Sequence, residues 1–225
     1  METLLQWAQS VGVTSLALTD INNTSACLEF IRQCPEYGIR PVVGIDFRNG
    51  LQQQYIGLAR NNEGFRELNA HLSYHLHTEE PLPDRAPAFA HATVIYPFER
   101  APETPLRANE YLGIRPDQLN RLRFSSWRYQ PDKLVLLQPL SFAGKADFNA
   151  HRLLRAIHHN TLLSKLPVSE QALPGETLIS PDALRLRLQE YPELIRNTEA
   201  LLAECTIAFT YGTSKNKTAF TRSPE

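Results

Sequence analysis

The 225-residue chain is short of several things, and each shortage closes a class of function. Cysteine is scarce: only Cys27, Cys34 and Cys205 occur, and no C-x-x-C pair. An odd, widely spaced trio is no disulfide framework and lacks a fourth ligand for a structural zinc, so it predicts reduced, partly buried thiols. Net charge is also missing. With 23 basic and 24 acidic side chains the balance is −1, and no global positive field draws the chain to nucleic acid or to a membrane surface. No apolar run approaches the roughly 20 residues of a membrane span. Residues 1–10 lack the continuous apolar core of a secretory signal. Neither G-x-x-x-x-G-K-[ST] nor G-x-G-x-x-G is present, so no phosphate-cradling loop is indicated. Internal repeats and low-complexity tracts are absent too. What is there is a chain with 42 % hydrophobic and 21 % charged residues. It should fold as one large cytoplasmic domain, or one domain with an appendage.

Residues 15–47, SLALTDINNTSACLEFIRQCPEYGIRPVVGIDF, organise the rest. An apolar run at 16–18 is followed by a polar turn at 19–24. A helical stretch comes next, with Ala26, Cys27, Phe30 and Ile31 on one side, and Pro35 and Gly38 stop it. A second apolar run, 41–45, ends on Asp46. Strand, helix and strand within about 33 residues is the length of one βαβ unit, whose strands must run parallel. Asp20 and Asp46 then lie just past the C-terminal strand ends, the edge that carries chemistry in parallel α/β folds.

Along the remaining chain, 3–11 reads as a leading helix and 51–60 as a strand. Residues 65–76 read as a helix, 79–90 as a proline-rich loop and 92–96 as a buried strand. Residues 106–113 predict a strand or short helix, 117–123 a helix and 133–137 a strand. The strongest helix signal is 148–163, whose apolar face is Phe148, Leu153, Leu154 and Ile157. Ser180 and Pro181 open another helix as N-cap and first-turn proline, and Pro192 restarts it toward Cys205. The tail, 211–225, should be partly extended. This alternation argues for an α/β barrel or an open sheet, and spacing alone does not separate the two.

LTDINNTSACLEF followed by GIRPVVGIDF resembles the PHP (polymerase and histidinol phosphatase) domain. More narrowly, it is similar to the version at the N-terminus of the alpha subunit of bacterial DNA polymerase III. LARNNEGFRELNAHLS, ALPGETLISPDALRLRLQEYPELIRNTEALLAECTIAF and YGTSKNKTAFT extend the likeness over nearly the whole chain. The resemblance implies a distorted (β/α)7 barrel over 1–166, lacking its first strand, and a helical connector over 167–225 toward a polymerase palm. It implies a piece truncated at both ends, or one begun at an internal Met. It also implies partners: the remainder of the polymerase chain, a proofreading exonuclease subunit, and DNA through the full enzyme. Magnesium would belong to the palm, and no cofactor is expected in these residues.

An active site of this family holds two or three metals on His and acidic side chains. The resemblance places the corresponding cleft at Asp20, Ile21, Asn22, Asp46, Gln54 and Ser141. Isoleucine replaces the histidine expected at 21 and offers no lone pair. Asp46 is one methylene shorter than the usual glutamate, and Gln54 is a weak ligand. The late Asp-x-His pair falls on Pro139 and Ser141, and the N-terminal His-x-His is absent. The expectation is a noncatalytic scaffold, with Asp20, Asn22 and Asn23 in turn and cap roles. The alternative is a metal-dependent phosphoesterase or 3′–5′ exonuclease using Asp20, Asp46 and His71. A free-standing interaction module is a third reading. His71 and His75, four apart, share one helix face with His77 nearby, without an acid or thiol to complete a zinc set, and predict a solvated helix end. Arg115, Arg121, Arg123 and Arg128, interleaved with Phe124, Trp127 and Tyr129, form a basic-aromatic cluster. It is a candidate interdomain surface, centred on Arg121, Arg123, Trp127 and Arg128, and otherwise a stacking platform for single-stranded bases.

Overall fold

A computed structural model describes residues 1–173 and 175–212. The expected extended tail lies outside them beyond Gly212. Helix α1 (Glu2–Ser10) buries Leu5 and Ala8 and gives way at Gly12, where φ is +80°. Strand β1 (Ser15–Ile21) pairs in parallel with β2 (Arg40–Asn49), from Ser15 opposite Arg40 to Ile21 opposite Asp46. Helix α2 (Cys27–Gln33) and a 3-10 turn ending at Gly38 make the crossover. The βαβ unit is therefore present, but β1 runs further than 16–18. Pairing with β2 carries Thr19, Asp20 and Ile21 into the strand, and the turn begins at Asn22.

The sheet then departs from simple alternation. Gly50, at φ +59°, turns β2 directly into β3 (Gln52–Ala59), which is antiparallel to it. Helix α3 (Asn62–Thr78) comes next, N-capped by Asn61 Oδ1, which accepts from the Gly64 N–H at 3.0 Å. Strand β4 (Ala92–Pro97) returns antiparallel to β3, and β5 (Glu110–Ile114) and β6 (Leu134–Leu136) continue in parallel. The six strands lie in sequence order and curl into a half-barrel. Gly64 is fixed by a close approach: a Cβ there would stand 2.0 Å from the His91 carbonyl oxygen.

Both faces of the sheet are covered, which is why β2, β3 and β4 carry apolar residues on both of their faces. On the convex side Val43, Ile45, Phe47, Tyr55, Val94 and Leu112 pack with Leu5, Phe30 and Leu68 of the first three helices. On the concave side Val42, Ile56, Leu58, Ile95 and Val135 meet Leu201 and Cys205 of α7 (Pro192–Glu204) and its C-terminal cap. That helix also closes one edge of the sheet. Thr198 Oγ1 accepts the Leu136 N–H at 2.7 Å, and Asn197 Nδ2 donates to the Leu134 carbonyl at 2.8 Å. Side chains thus stand where a seventh strand's backbone would pair, a way of blunting an edge.

A buried carboxylate ties the long loops to the sheet. Glu110, 0 % exposed, accepts from Arg85 Nη2 at 2.6 Å, Arg107 Nη1 at 3.1 Å, the Arg107 N–H at 2.7 Å and the Tyr96 hydroxyl at 3.0 Å. Burial alone would raise its pKa. The bonds from Arg85, the Arg107 backbone and Tyr96 outweigh burial and hold it below the usual carboxylate value.

Three expectations change. The helix read at 148–163 is α5 (Lys145–His158), ended where Asn160 takes a positive φ. Leu153, Leu154 and Ile157 of its apolar face are exposed. The helix docks by its polar side instead: Arg155 Nε donates to the Glu170 carbonyl at 3.0 Å, Arg152 Nε to Gln171 Oε1 at 2.8 Å, and His151 Nε2 accepts the Ala172 N–H at 3.0 Å. The 117–123 reading divides into a 3-10 turn, Pro116–Gln118, and a short α4 (Leu119–Arg123). The thiols are fully rather than partly buried, and burial pushes Cys27 and Cys205 to about 11 and Cys34 to about 12. Helix α6 (Pro181–Arg187) opens as predicted, with Ser180 Oγ accepting the Ala183 N–H at 3.3 Å. Among the described residues no helix is long and apolar enough to cross a membrane.

Two substitutions test these tethers in chemical denaturation. Thr198→Val keeps the shape but leaves the Leu136 N–H without an acceptor, and should cost about 1–2 kcal/mol. Glu110→Gln strands two arginines against a buried neutral amide and should cost roughly 3–5 kcal/mol. Unchanged midpoints for either would refute the role assigned to it.

Candidate functional site at the C-terminal end of β1 and β2

A cavity of about 590 Å³ runs along β1, and Asp20, Ile21, Asp46, Arg48 and Gln53 line it at the C-terminal end of that strand. Register decides which of these share a face. Paired residues in a parallel ladder point the same way. Asp46 stands opposite Ile21, whereas Asp20 stands opposite Ile45 of the convex core. The two carboxylates therefore project to opposite sides of the sheet, and the neighbour of Asp46 on the concave side is a 54 % exposed isoleucine.

Asp46 itself is 6 % exposed and already satisfied. Its Oδ2 accepts from Arg48 Nη2 at 2.7 Å and Arg48 Nε at 2.9 Å, and its Oδ1 accepts from Gln53 Nε2 at 2.9 Å. Gln53 rather than Gln54 reaches this carboxylate because of a bulge. Phe47 pairs with Tyr55 but Arg48 pairs with Gln53, so Gln54 is the extra residue. An inserted residue reverses the facing of its neighbours further along the strand. Gln54 is 1 % exposed and accepts from Arg100 Nη2 at 2.9 Å, away from Asp46.

The remaining positions are spent locally. Asn22, at φ +46°, brackets the Arg48 backbone: its Oδ1 accepts the N–H at 2.9 Å and its Nδ2 donates to the carbonyl at 2.8 Å. Asn tolerates this left-handed conformation better than most residues. Asn23 Oδ1 accepts the Ser25 N–H at 2.7 Å. Ser141 lines the cavity but its hydroxyl bonds to Glu176. Sequence reasoning misses Arg48 and Gln53. The signal for Arg48 is weak but physical: an arginine two residues after an acid on one strand shares its face.

His71 does not line this cavity, and it is half-buried rather than solvated. It packs on Phe47 and Phe89 with ring centroids 5.4 and 5.6 Å away, and its Nε2 lies 2.8 Å from the Tyr55 hydroxyl. Burial first, and then His75, lower its pKa from 6.5 to about 4. His75 Nδ1 instead meets the Glu80 carbonyl at 3.1 Å. The basic-aromatic cluster is also dispersed. Arg121 pairs with Glu99 at 3.0 Å, Arg123 with Glu190, and Arg128 lies 4.5 Å over the Tyr129 ring. Trp127 packs on the convex core, while Phe124 and Tyr129 remain exposed.

Residues 1–95 match the PHP domain. The match runs through β1, β2 and β3 and ends within β4, and so includes Asp20, Asp46 and the bulge. The DNA polymerase III subunit alpha of Neisseria meningitidis serogroup B is 23 % identical over 94 % of this chain and 22 % of its own length. That of Streptococcus pyogenes is 23 % identical over 87 % of this chain and 19 % of its own. That of Vibrio cholerae serotype O1 is 23 % identical over 93 % and 21 %. The chain thus spans about a fifth of the length of the curated relatives it matches.

A metal centre of the PHP kind needs several donors converging on one point. Here Ile21 donates nothing, Asp46 is engaged by a guanidinium and an amide, and Asp20 is on the other face. Among the described residues no group of three or more His, Cys, Asp and Glu side chains is disposed to hold a metal ion. The residues present do not fit that centre.

The neutral imidazole of His71 makes stability depend on pH. Its folded pKa lies below the unfolded value, so its contribution is present above pH 6.5 and is lost as pH falls toward about 4. The full shift corresponds to roughly 3 kcal/mol, less what residual solvent access removes. Stability of His71→Gln measured from pH 7 to 4 should fall less steeply than that of the wild type; parallel curves would refute it.

Proposed function

We propose that this chain is a noncatalytic PHP module of a replicative DNA polymerase III alpha subunit, acting as scaffold and docking surface. One observation carries the reading: the Asp46 carboxylate, the acid best placed to ligate, is saturated by Arg48 and Gln53. An internal guanidinium supplies the positive charge that a metal would otherwise bring. In this reading the curled sheet is a distorted seven-fold barrel short of one strand. Residues 1–166 form its body and 167–225 a connector toward a palm that binds magnesium and adds deoxynucleotides. The remainder of the polymerase chain is the main partner, a proofreading exonuclease subunit a second, and DNA is reached through the whole cytoplasmic enzyme. The paired arginines at 121 and 123 suit an interdomain face better than a bare phosphate-binding patch.

Calorimetric titration of chelator-stripped protein with Mn²⁺ and Zn²⁺, together with hydrolysis of bis(p-nitrophenyl) phosphate, tests this. No stoichiometric binding and no turnover above buffer are expected. Near-stoichiometric metal with turnover, both abolished in Asp46→Ala, would establish the phosphoesterase instead.

A further inference from the structure

Helix α5 is docked by its polar side and turns its apolar side outward. At about 100° per residue, Ala146, Ala150, Leu153, Leu154 and Ile157 fall within a sector about 100° wide. All five are exposed. Residues 146, 150, 153 and 157 are spaced four, three and four apart, the spacing of a helix–helix seam. The seam is also graded. Its first half is alanine, and its second half is leucine and isoleucine.

That grading is complementary to itself. When a copy of α5 is reversed about a two-fold axis level with the His151–Arg152 peptide, Ala146 falls opposite Ile157 of the second copy and Ala150 opposite Leu153. Each pair occurs twice, as an isologous contact requires. Every small residue then meets a large one, which lets two helices approach closely without voids. The same operation matches polar groups. Asp147 and His158 lie on one flank of the seam, and the axis brings Asp147 of each copy beside His158 of the other. An imidazole N–H can donate to that carboxylate. Asp147 also accepts the Ala143 N–H at 3.1 Å, so it marks the N-terminus of α5. Antiparallel docking sets that end against the C-terminus of the other copy, where the dipoles are opposed. A lipid surface suits the helix less, because Arg152 and Arg155 are turned inward to Gln171 and Glu170 and do not border the apolar side. A partner of unrelated sequence has no use for the internal symmetry; a second copy does.

We propose that α5 is a self-association surface on which a second copy of this chain docks antiparallel, Ala146 and Ala150 of each against Ile157 and Leu153 of the other. The matched pattern carries the inference, rather than the exposure of the face. Fourteen residues of helix span about 21 Å. One such pair buries less than the roughly 1,200 Å² at which stable interfaces begin, so the dimer is weak, with a Kd in the micromolar range or above. Asp46 and the polymerase reading do not enter it, and either can fail without the other.

Sedimentation velocity on the 225-residue chain should show a shift from monomer toward dimer between about 1 and 500 µM. Leu153→Glu should weaken the dimer about tenfold or more. Leu153 is exposed, so the melting temperature should hold. His158→Arg should tighten the dimer and His158→Asp weaken it, each about threefold. Cysteine pairing tests the register. Ala150→Cys and Leu153→Cys proteins, mixed and oxidised, should cross-link several-fold more than either alone, since the native thiols are buried and inert. That comparison still decides the matter should Leu153→Glu fold poorly. A chain monomeric throughout overturns the proposal. So does a dimer indifferent to a folded Leu153→Glu, a pair of His158 variants that shift alike, or cross-linking no greater in the mixture.

Discussion

Strand β6 is three residues long, and it persists because it is hydrogen-bonded on both sides. Ladder bonds to β5 satisfy one edge, and Thr198 and Asn197 satisfy the other. The rest of the concave side depends on this arrangement. Holding α7 against β6 brings Leu201 and Cys205 over Val42, Ile56 and Ile95, so a curled sheet that would otherwise be hollow acquires a core. A backbone strand at that position would have left the interior to be filled by something else. The helix both ends the sheet and fills it.

The Asp46–Arg48 pair works by the same economy at a smaller scale. A carboxylate 6 % exposed needs a counter-charge, and the protein supplies one from two residues further along the same strand. Coulombic attraction at this distance is strong where water is thin, but a cation entering from solution would first have to displace the guanidinium. Arg48 would then lose its own partner. Isoleucine at 21, which has no lone pair to offer, and the recruitment of Gln53 through a bulge are consistent with this, since each removes a reason for a metal to prefer this point.

What can be read from the sequence is mostly local. The βαβ unit, the Ser180 cap and the apolar strand at 92–96 rest on periodicity and turn chemistry, which act over a few residues. Relations between distant residues are hidden. Asp20 and Asp46 look alike as strand-end acids, and only the register of β1 on β2 sends them to opposite faces. Gln54 looks like the cleft residue because the resemblance places it there, and one inserted residue turns it away and brings Gln53 to Asp46 instead. In α5 periodicity finds the apolar stripe, yet it does not say which side of a helix meets the protein. Arg152 and Arg155 have partners at Gln171 and Glu170, and that decides it. His71 escapes for the same reason: its helix is legible, but its contact with Tyr55 and Phe89 belongs to the packing of strands and loops far from it in the chain.

Local legibility limits how much the likeness to polymerase alpha subunits can carry. The stretches that hold the resemblance, residues 18–30 and 38–47, are also those that the crossover needs: Phe30, Val43, Ile45 and Phe47 in the core, Gly38 in the turn, Asn22 clamping β2. Packing would retain them whether or not chemistry remained, because losing any one leaves a cavity or a strained turn. Donor positions are under no such constraint. Ile21 is exposed and Ser141 sits on a loop, so either can change without unfolding the sheet. Similarity of 23 % therefore bears on the fold more than on any reaction. The identity of the side chain next to Asp46 weighs more on activity than the matches around it.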